Sequence, residues 1–271
     1  RATAHTRPHY PPLLHTVERV TANQVTQLNR YCERNHIQLI HGHASFIDEH
    51  SISITHGNNE VDRLTADYFV IATGSRPYHP ENIDFSNPRI HDSTSILRLD
   101  HTPASLTIYG AGVIGCEYAS IFCNLDTKVN LVNTRDRLLS FLDDEITDAL
   151  SYYLREQGTV IRHNEEYERV EASDDHVVVH CRSGKKIRTD MLLWANGRTG
   201  NSDNLGLDKL QLETDSRGSI KVNQHYQTDI AHIYAVGDVT GAPGLASASY
   251  DQGRYVGAQI GTPEVGWELS R

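Results

Sequence analysis

Near the middle of the chain, three glycines have the spacing that lets a peptide backbone approach a phosphate closely. They are Gly110, Gly112 and Gly115, in a Gly-x-Gly-x-x-Gly pattern that follows a short apolar run over residues 105–109. In a dinucleotide-binding unit the first glycine permits the tight turn, the second leaves room for a pyrophosphate, and the third lets the next helix pack against the strand. The order of strand, glycines and helix therefore predicts a dinucleotide site rather than an ordinary turn.

The segment after the glycines predicts a helix whose first turn faces the ligand. The free N–H groups of that turn, which include those of Val113 and Ile114, and the partial positive charge there favour phosphate. The helix repeats apolar residues that predict its buried face: Val113, Ile114, Ile121, Phe122 and Leu125. A second strand over residues 128–132 completes the strand–helix–strand order of a βαβ unit.

The residue that ends this second strand indicates which nicotinamide nucleotide the site accepts. A carboxylate there, about 20 residues past the glycines, binds the ribose hydroxyls of NAD. It would repel a 2′-phosphate by about 4 kcal/mol at about 4 Å and an effective dielectric near 20. The position holds Asn133, followed by Arg135 and Arg137. An amide binds a ribose hydroxyl without repelling a phosphate, and arginine binds phosphate well. We predict a site open to both NAD(H) and NADP(H); the alternative is a loop with two surface arginines.

Two further apolar runs end in residues suited to a ligand. The run over 68–72 is followed by Gly74, which lets the backbone pass close to a ligand, and the run over 233–236 is followed by Gly237 and Asp238. Asp238 could instead cap a helix. A helix is predicted from Leu245 to residue 260, and its N-terminus could face partial negative charge on a ligand.

The remaining periodicities indicate an α/β protein. Before the glycine motif we predict a helix over 14–35, a strand over 36–47, a hairpin of strands 51–55 and 60–64, and a connection without elements over 78–103. After it we predict a helix from Asp143 or Asp144 to Gln157, a parallel strand over 159–161, an antiparallel ribbon of 169–171, 177–180 and 186–188, and a buried strand over 191–195. The first helix has a candidate buried stripe: Val17, Val20, Val25, Leu28 and Tyr31. We expect a compact unit over about 103–223.

Composition excludes several classes of function. The net charge of −10 argues against nucleic acid as a partner, and no apolar run approaches the roughly 20 residues of a membrane span. The four cysteines are scattered, which favours a reducing cytoplasm over disulfides or a zinc site. His41 and His43 could share a strand face, but no metal is expected. Cys116 is predicted to be a small core residue and Tyr118 a packing residue.

The three strand ends, in this order and spacing, resemble the flavoprotein disulfide reductase family, whose members carry two dinucleotide-binding domains. Four stretches, 109–122, 133–139, 195–201 and 245–254, are similar to its soluble transhydrogenase branch. The resemblance implies two Rossmann-like domains, with an NAD(P)-binding domain inserted in an incomplete FAD-binding domain. The implied boundaries are 1–91 for the first FAD segment, 92–223 for the NAD(P) domain, 224–260 for the FAD return segment and 261–271 for a tail.

For FAD, the resemblance implies a role for five residues. Asp238 would bind the ribityl chain near the pyrophosphate, and backbone groups of Ala44 would meet the adenine. Gly74 would lie where the chain leaves the FAD domain. Leu245 and Ala246 would begin a helix aimed at the pyrimidine edge of the flavin, where it stabilises negative charge on reduced flavin.

For the nicotinamide nucleotide, the resemblance adds two positions to the glycine loop. Gly197 would pass close to the nicotinamide ribose. Glu117 would lie near the nicotinamide, where family members pair this carboxylate with a lysine from the N-terminal part, and it is the one candidate catalytic residue. The pattern alone allows equally that Glu117 is a solvated helical carboxylate.

The implied activity is flavin-dependent hydride transfer from NADPH to NAD⁺, which balances the two nucleotide pools. Its cofactors are FAD, NAD(H) and NADP(H), so the expected partners are small-molecule nucleotides. One alternative is another FAD-dependent reductase, of the dihydrolipoamide dehydrogenase or glutathione reductase kind. The other is an NAD(P)-binding module without turnover.

The family pattern is incomplete in this chain. No earlier Gly-x-Gly-x-x-Gly or redox-cysteine segment precedes Ala44, and no dimerisation domain follows residue 260. We therefore expect the middle of a larger enzyme, with exposed apolar surface at its edges and weak or no FAD binding by this chain alone. The parent enzyme is expected to be a homo-oligomer and the shorter chain a monomer.

Overall fold

A computed structural model describes residues 10–261, which fall into two compact units. In chain order, the elements are α1 Tyr10–Arg34, β1 His43–Asp48, β2 Ser51–Thr55, β3 Val61–Thr65, β4 Phe69–Ile71, β5 Ser75–Pro77, β6 Ile90–Asp92, β7 Ser105–Tyr109, α2 Val113–Cys123, β8 Lys128–Val132, α3 Asp144–Glu156, β9 Val160–Arg162, β10 Tyr167–Ala172, β11 Val177–Cys181, β12 Lys186–Thr189, β13 Met191–Trp194, β14 Arg198–Gly200, β15 Ile233–Ala235 and α4 Ala246–Gly261. Short 3₁₀ turns occur at Ser95–Arg98, Leu207–Leu210 and Gly237–Thr240.

The two units divide the chain at different places from the predicted domains. The first unit comprises residues up to 36 together with 77–197, and the second comprises 37–76 and the residues from 198 onward. The part of the first unit over 77–197 overlaps the predicted NAD(P) domain 92–223, and α1 clusters with that unit. The predicted domain boundaries stay a prediction. Which cofactor each unit binds stays a prediction. Except for Gly261, which ends α4, the predicted tail 261–271 lies outside the described residues.

A parallel sheet forms the centre of the first unit. Its five strands lie in the order β6-β13-β7-β8-β9, and every neighbouring pair is parallel. Helix α2 connects β7 to β8 and α3 connects β8 to β9, so both links are βαβ crossovers. Because parallel strands share one carboxyl edge, Tyr109, Val132 and Trp194 end at the same edge of the sheet. This confirms the predicted α/β class and the strands at 105–109, 128–132, 159–161 and 191–195.

The strand β6 was missed, because the segment 78–103 was predicted to lack elements. Its three residues pair with β13 in register Ile90 with Leu192 and Asp92 with Trp194. A three-residue strand is too short to show period-2 alternation, and Pro88 just before it suggests a turn. β6 is therefore a strand because it pairs with the distant strand β13, and its local sequence pattern does not indicate this.

The buried face of α2 differs from the predicted one. Val113 and Ile121 are 48% and 42% exposed, whereas Phe122 and Leu125 are buried as expected. The residues that α2 buries are small apart from one aromatic: Gly115, Cys116, Ala119, Phe122 and Cys123. A helix that lies close to a sheet buries its smallest side chains there, so the larger apolar residues do not mark the packed face.

The helix predicted over 14–35 is confirmed as α1, but its predicted buried stripe is wrong. Its five members, Val17, Val20, Val25, Leu28 and Tyr31, are 46–51% exposed. Only the start of α1 packs into the first unit, where the Tyr10 ring stacks on Phe122 at 5.1 Å and the Tyr10 N–H donates to Thr102 Oγ1 at 2.8 Å. Residues 35–261 leave the stripe uncovered, so the amphipathic spacing of α1 did not predict which of its residues are buried.

The second unit combines an antiparallel sheet with a parallel pair of strands. β1, β2 and β3 form a meander, which confirms the hairpin around residues 56–59. The strand predicted over 36–47 begins only at His43. β4 and β15 are parallel, with Ile71 opposite Ala235. Val70 is 45% exposed, so β4 is only partly the buried strand we predicted. The helix predicted from Leu245 is confirmed as α4.

Candidate nucleotide-binding sites

The three glycines between β7 and α2 meet different surroundings. A Cβ on Gly115 would lie 1.8 Å from the carbonyl oxygen of Gly110, and a Cβ on Gly110 would lie 2.6 Å from that of Ala195. Gly110 also has φ of +109°, which favours glycine. A Cβ on Gly112 would meet nothing within 4 Å. The packing of the unit itself thus requires Gly110 and Gly115, whereas Gly112 faces open space large enough for a ligand to approach.

The first turn of α2 offers hydrogen-bond donors beside that space. Gly112 is the N-cap of α2, and its carbonyl accepts from the Cys116 N–H at 3.0 Å. The first N–H groups of a helix, here those of Val113 and Ile114, have no partner inside the helix and carry positive potential. An anion placed over Gly112 would meet these donors, as the sequence predicts.

An open cleft of about 210 Å³ lies at the carboxyl edge of the sheet. It brings together six of the predicted residues, namely Gly110, Gly112, Asn133, Arg135, Arg137 and Gly197. Sequence reasoning missed part of its wall, namely Leu139, Ser140, Phe141, Ala195 and Asn196. Phe141 is 70% exposed at this cleft. Its place six residues after Arg135, in the loop that follows β8, was the sequence feature that could have indicated it. Val113, Ile114, Gly115 and Glu117 do not line the cleft in the described part of the chain.

Asn133 shapes the loop that follows β8. It is only 5% exposed. Its Oδ1 accepts from the Arg135 N–H at 3.2 Å, and its Nδ2 donates to the Arg137 carbonyl at 2.7 Å. The amide thus holds the turn that carries both arginines, and a contact between this amide and a ribose hydroxyl stays a prediction.

The two arginines of this loop are engaged differently. The guanidinium of Arg137 forms an ion pair with Asp144 at the start of α3. The guanidinium of Arg135 donates to the Ser140 hydroxyl, and no carboxylate among residues 10–261 lies within 4 Å of it. Arg135 is exposed and lines the cleft, so its charge is the one that a 2′-phosphate would meet first.

The side chains next to Glu117 on α2 have structural environments. Burial raises the pKa of the Cys116 thiol to about 11, which keeps it protonated and confirms it as a core residue. Burial also raises the pKa of Tyr118, whose hydroxyl donates to the Ser93 carbonyl at 2.8 Å. Tyr118 is therefore a packing residue. Glu117 itself is exposed, and its role near a nicotinamide stays a prediction.

In the second unit, Asp238 lies just beyond the carboxyl end of β15. Its Oδ2 accepts from the Ser75 hydroxyl at 2.8 Å and lies 3.8 Å from Arg198 Nε. Arg198 Nε also donates to Ser75 Oγ at 2.7 Å. The N–H of Gly237 donates to Gln252 Oε1 of α4 at 2.6 Å. These contacts hold the carboxylate at the wall of an open pocket of about 360 Å³.

The other predicted FAD residues lie elsewhere on the second unit. Ala44 lines a separate apolar groove of about 130 Å³ with Phe46 and the end of β4. Gly74 has φ of +71°, and its carbonyl accepts from the Asn201 N–H at 2.9 Å. Leu245 precedes α4 and Ala246 begins it, and both are exposed. The structure joins Asp238 to the segment after Gly74 through Ser75, whereas Ala44 lines a different surface.

Residues 10–261 contain neither a membrane-spanning helix nor a metal-binding cluster. No helix in that range is long and apolar enough to cross a membrane. Within the same residues, no three His, Cys, Asp or Glu side chains are grouped so that they could hold a metal ion.

The chain is similar to curated and solved proteins over most of its length. It is 57% identical over 248 residues to the soluble pyridine nucleotide transhydrogenases of Salmonella typhimurium and Salmonella typhi, which is 92% of this chain and 53% of each relative. It therefore spans about half the length of these relatives.

Two solved structures share the fold. LpdA from Mycobacterium tuberculosis superposes with a TM-score of 0.91 at 24% identity, over 99% of this chain and 59% of that one. The HOCl-induced flavoprotein disulfide reductase RclA from Escherichia coli superposes with a TM-score of 0.80 at 27% identity, over 96% of this chain and 62% of that one. The model of the pyridine nucleotide-disulphide oxidoreductase family matches residues 2–253, so the chain belongs to that family.

Proposed function

We propose that this chain is part of a flavin-dependent enzyme that transfers hydride from NADPH to NAD⁺. The observation that carries the proposal is the cleft of the first unit, where the exposed guanidinium of Arg135 follows an amide, Asn133, instead of a carboxylate. A site with this wall attracts a 2′-phosphate and does not repel it. It also accepts a nucleotide without that phosphate, because the glycine loop and α2 supply the pyrophosphate donors.

The residues present fit the nucleotides. The open space over Gly112 and the donors of Val113 and Ile114 fit a pyrophosphate, and Gly197 lies at the other wall of the same cleft. In the second unit, the pocket beside Asp238 contains Arg198 and Ser75, a donor and acceptor set suited to the ribityl and phosphate groups of FAD. When bound, FAD accepts a hydride from one nicotinamide and returns it to another.

This chain's own residues supply binding and orientation in the proposed reaction. Gly112 and the first turn of α2 would hold the pyrophosphate, and Arg135 would bind the 2′-phosphate when it is present. Gly197 and Glu117 would lie along the nicotinamide end, with Ala44, Gly74, Asp238, Leu245 and Ala246 contributing to the FAD site. Hydride transfer itself requires no protein acid or base, so no side chain needs to move a proton.

The setting of the enzyme is also part of the proposal. Four free cysteines, of which Cys116, Cys123 and Cys181 are buried, support a reducing compartment, and we propose the cytoplasm. The 57% identity to named soluble enzymes agrees with this. On the family resemblance alone, we propose that the complete enzyme is a homo-oligomer.

The test is an assay of NADPH-dependent reduction of a thio-NAD⁺ analogue with added FAD. It compares the 271-residue chain with a version extended to the length of the curated relatives. Activity in the extended version supports the proposal, and activity confined to that version means that this chain alone binds nucleotide without turnover. Activity in neither removes the transhydrogenase proposal and favours a nucleotide-binding module or a disulfide reductase.

A further inference from the structure

The loop that carries Arg135 is fastened to the connection that follows β9. The Asn164 N–H donates to the Arg135 carbonyl at 3.1 Å, and the Glu165 N–H donates to the Asn133 carbonyl at 3.1 Å. Residues 163–165 of this connection do not line the cleft itself. Its side chains can influence the wall without touching a nucleotide.

The orientation of the Asn133 amide follows from its hydrogen bonds. Oδ1 faces the Arg135 N–H and Nδ2 faces the Arg137 carbonyl. Exchanging the two atoms would set a donor against a donor and an acceptor against an acceptor. The second hydrogen of Nδ2 therefore points to its remaining neighbour, Nδ1 of His163 at 3.2 Å.

Two hydrogen-bond donors face the ring of His163, one at each nitrogen, but a neutral imidazole has only one acceptor nitrogen. Nε2 lies 3.4 Å from a guanidinium nitrogen of Arg155 in α3, which also only donates. A neutral imidazole accepts at one nitrogen, so the two contacts compete. Asn133 is buried, and a buried donor without a partner costs about 1–3 kcal/mol, whereas exposed Arg155 is hydrated. Nδ1 therefore accepts from Asn133, and the imidazole carries its hydrogen on Nε2.

We propose that His163 is a positioning residue for recognition of the 2′-phosphate of NADP(H). By accepting from Asn133, it completes the hydrogen bonds of the amide that holds the turn, and the turn sets where Arg135 projects into the cleft. The inference rests on the proposed function, because it assumes that Arg135 meets a 2′-phosphate. The glycine loop makes none of these hydrogen bonds, so binding of the pyrophosphate does not depend on His163.

The experiment measures binding of 2′,5′-ADP and of 5′-AMP, which differ only by the 2′-phosphate, by titration calorimetry. His163→Leu removes the acceptor, and His163→Asn keeps one, because an amide oxygen of asparagine falls near the place of Nδ1. We expect His163→Leu to weaken binding of 2′,5′-ADP about tenfold, the size of one lost hydrogen bond, and binding of 5′-AMP less than about twofold. His163→Asn should return 2′,5′-ADP to within about threefold of the parent chain.

Arg155→Leu is the matched control, because it removes the competing donor and leaves Nδ1 in place. It should bind both ligands as the parent chain does. If His163→Leu does not give a folded protein by circular dichroism, His163→Ala provides the same comparison.

The outcomes separate the two proposals. If the parent chain binds 2′,5′-ADP no more tightly than 5′-AMP, recognition of the 2′-phosphate of NADP(H) is overturned and the role of His163 with it. If the parent chain discriminates but the Leu variant weakens both ligands equally, or changes neither, only the role of His163 is overturned. Failure of the Asn variant to restore 2′,5′-ADP binding overturns that role as well.

Discussion

Each unit contains a parallel strand that is followed within two residues by a glycine. The contacts around the two strand ends differ. In the first unit, backbone packs on backbone: a Cβ on Gly110 or Gly115 would overlap a main-chain carbonyl. In the second unit, a Cβ on Gly237 would lie 3.2 Å from the Ser249 hydroxyl, a side-chain atom that can move. There side-chain contacts supplement the pairing of the strand, through Asp238 with Ser75 and Arg198.

The sheets to which these two strands belong also differ, in their number of strands and in the burial of their side chains. In the first unit, Leu106, Ile108 and Leu131 are completely buried in a five-stranded sheet. In the second, the parallel sheet has two strands and leaves Val70 half-exposed. A fully buried aliphatic side chain contributes about 1.5–3 kcal/mol. The first strand end therefore rests on a five-stranded buried sheet. In the second unit Ile233 and Ala235 of β15 are also completely buried, but the sheet has only two strands, and polar side-chain contacts supplement it.

The largest effect is expected from Gly115→Ala. The new methyl cannot fit 1.8 Å from the Gly110 carbonyl, so α2 must move away from β7 and its small-residue face must separate from the sheet. We expect the free energy of unfolding to fall by about 3 kcal/mol or more, as for severe overpacking. Urea denaturation followed by circular dichroism measures it.

Gly112→Ala is the matched control for this prediction. Its Cβ meets open space and its φ of −79° is accessible to alanine, so stability should change by less than about 1 kcal/mol. Binding of 5′-ADP should nevertheless weaken, because the methyl fills the space proposed for the pyrophosphate. Equal losses of stability in both variants would show that steric packing does not distinguish the two glycines.

Because tight packing around Gly110 and Gly115 fixes the backbone of the cleft, selectivity for a 2′-phosphate depends on side chains. Arg135→Ala tests this dependence. Removing a charge-assisted contact to phosphate costs about 2 kcal/mol, so 2′,5′-ADP should bind about 30-fold more weakly. Binding of 5′-AMP should change little, and high salt should further reduce the preference for 2′,5′-ADP over 5′-AMP. Titration calorimetry measures all three.

Arg182→Ala controls for the loss of a surface charge in the same unit. Arg182 is paired with Glu166 and is 71% exposed. Its removal should leave the ratio of the two affinities unchanged. Equal weakening of both ligands by Arg135→Ala would mean that Arg135 is a general surface charge.

A smaller effect is expected in the second unit from Asp238→Ala. The Ser75 hydroxyl would lose its acceptor, and Arg198 would lose a partly exposed ion pair that solvent already screens. The free energy of unfolding should fall by about 1 kcal/mol. Urea denaturation with Asp229→Ala as the exposed control measures it. A loss as large as that for Gly115→Ala would contradict the view that polar side chains only supplement this strand end.

The sequence predicted those parts of the molecule that depend on local geometry. The Gly110–Gly115 turn, the strands at its sides and the α3 helix have signals within a few residues, because turn sterics and helical periodicity are local. The Asp143 side chain at the start of α3 makes no capping hydrogen bond. Prediction from the sequence failed where burial depends on a distant partner. The stripe of α1 has helical spacing but no covering element among residues 35–261, and β6 is a strand only because it pairs with β13.

The sequence likewise predicted only some of the residues of the candidate cleft. Asn133 and Arg135 were found from their distance to the glycines. The exposed Phe141 lies further along the same loop as Arg135. The Ala195–Asn196 wall follows β13, which the sheet order places beside β7. His163 could not be found at all, because it acts through a side-chain hydrogen bond to a residue 30 positions away.

The last prediction probes how closely α2 is packed, through the reactivity of Cys116. Only a thiolate reacts with iodoacetamide, and with a pKa of about 11 roughly one thiol in a thousand is ionised at pH 8. We expect half-buried Cys32 to be alkylated first and Cys116 only when urea unfolds the chain, as followed by peptide mass spectrometry. In Gly115→Ala, a displaced α2 would expose Cys116 and speed its labelling, whereas Gly112→Ala would not. Labelling of Cys116 as fast as Cys32 in the parent chain would contradict the tight helix–sheet contact on which the comparison of the two strand ends depends.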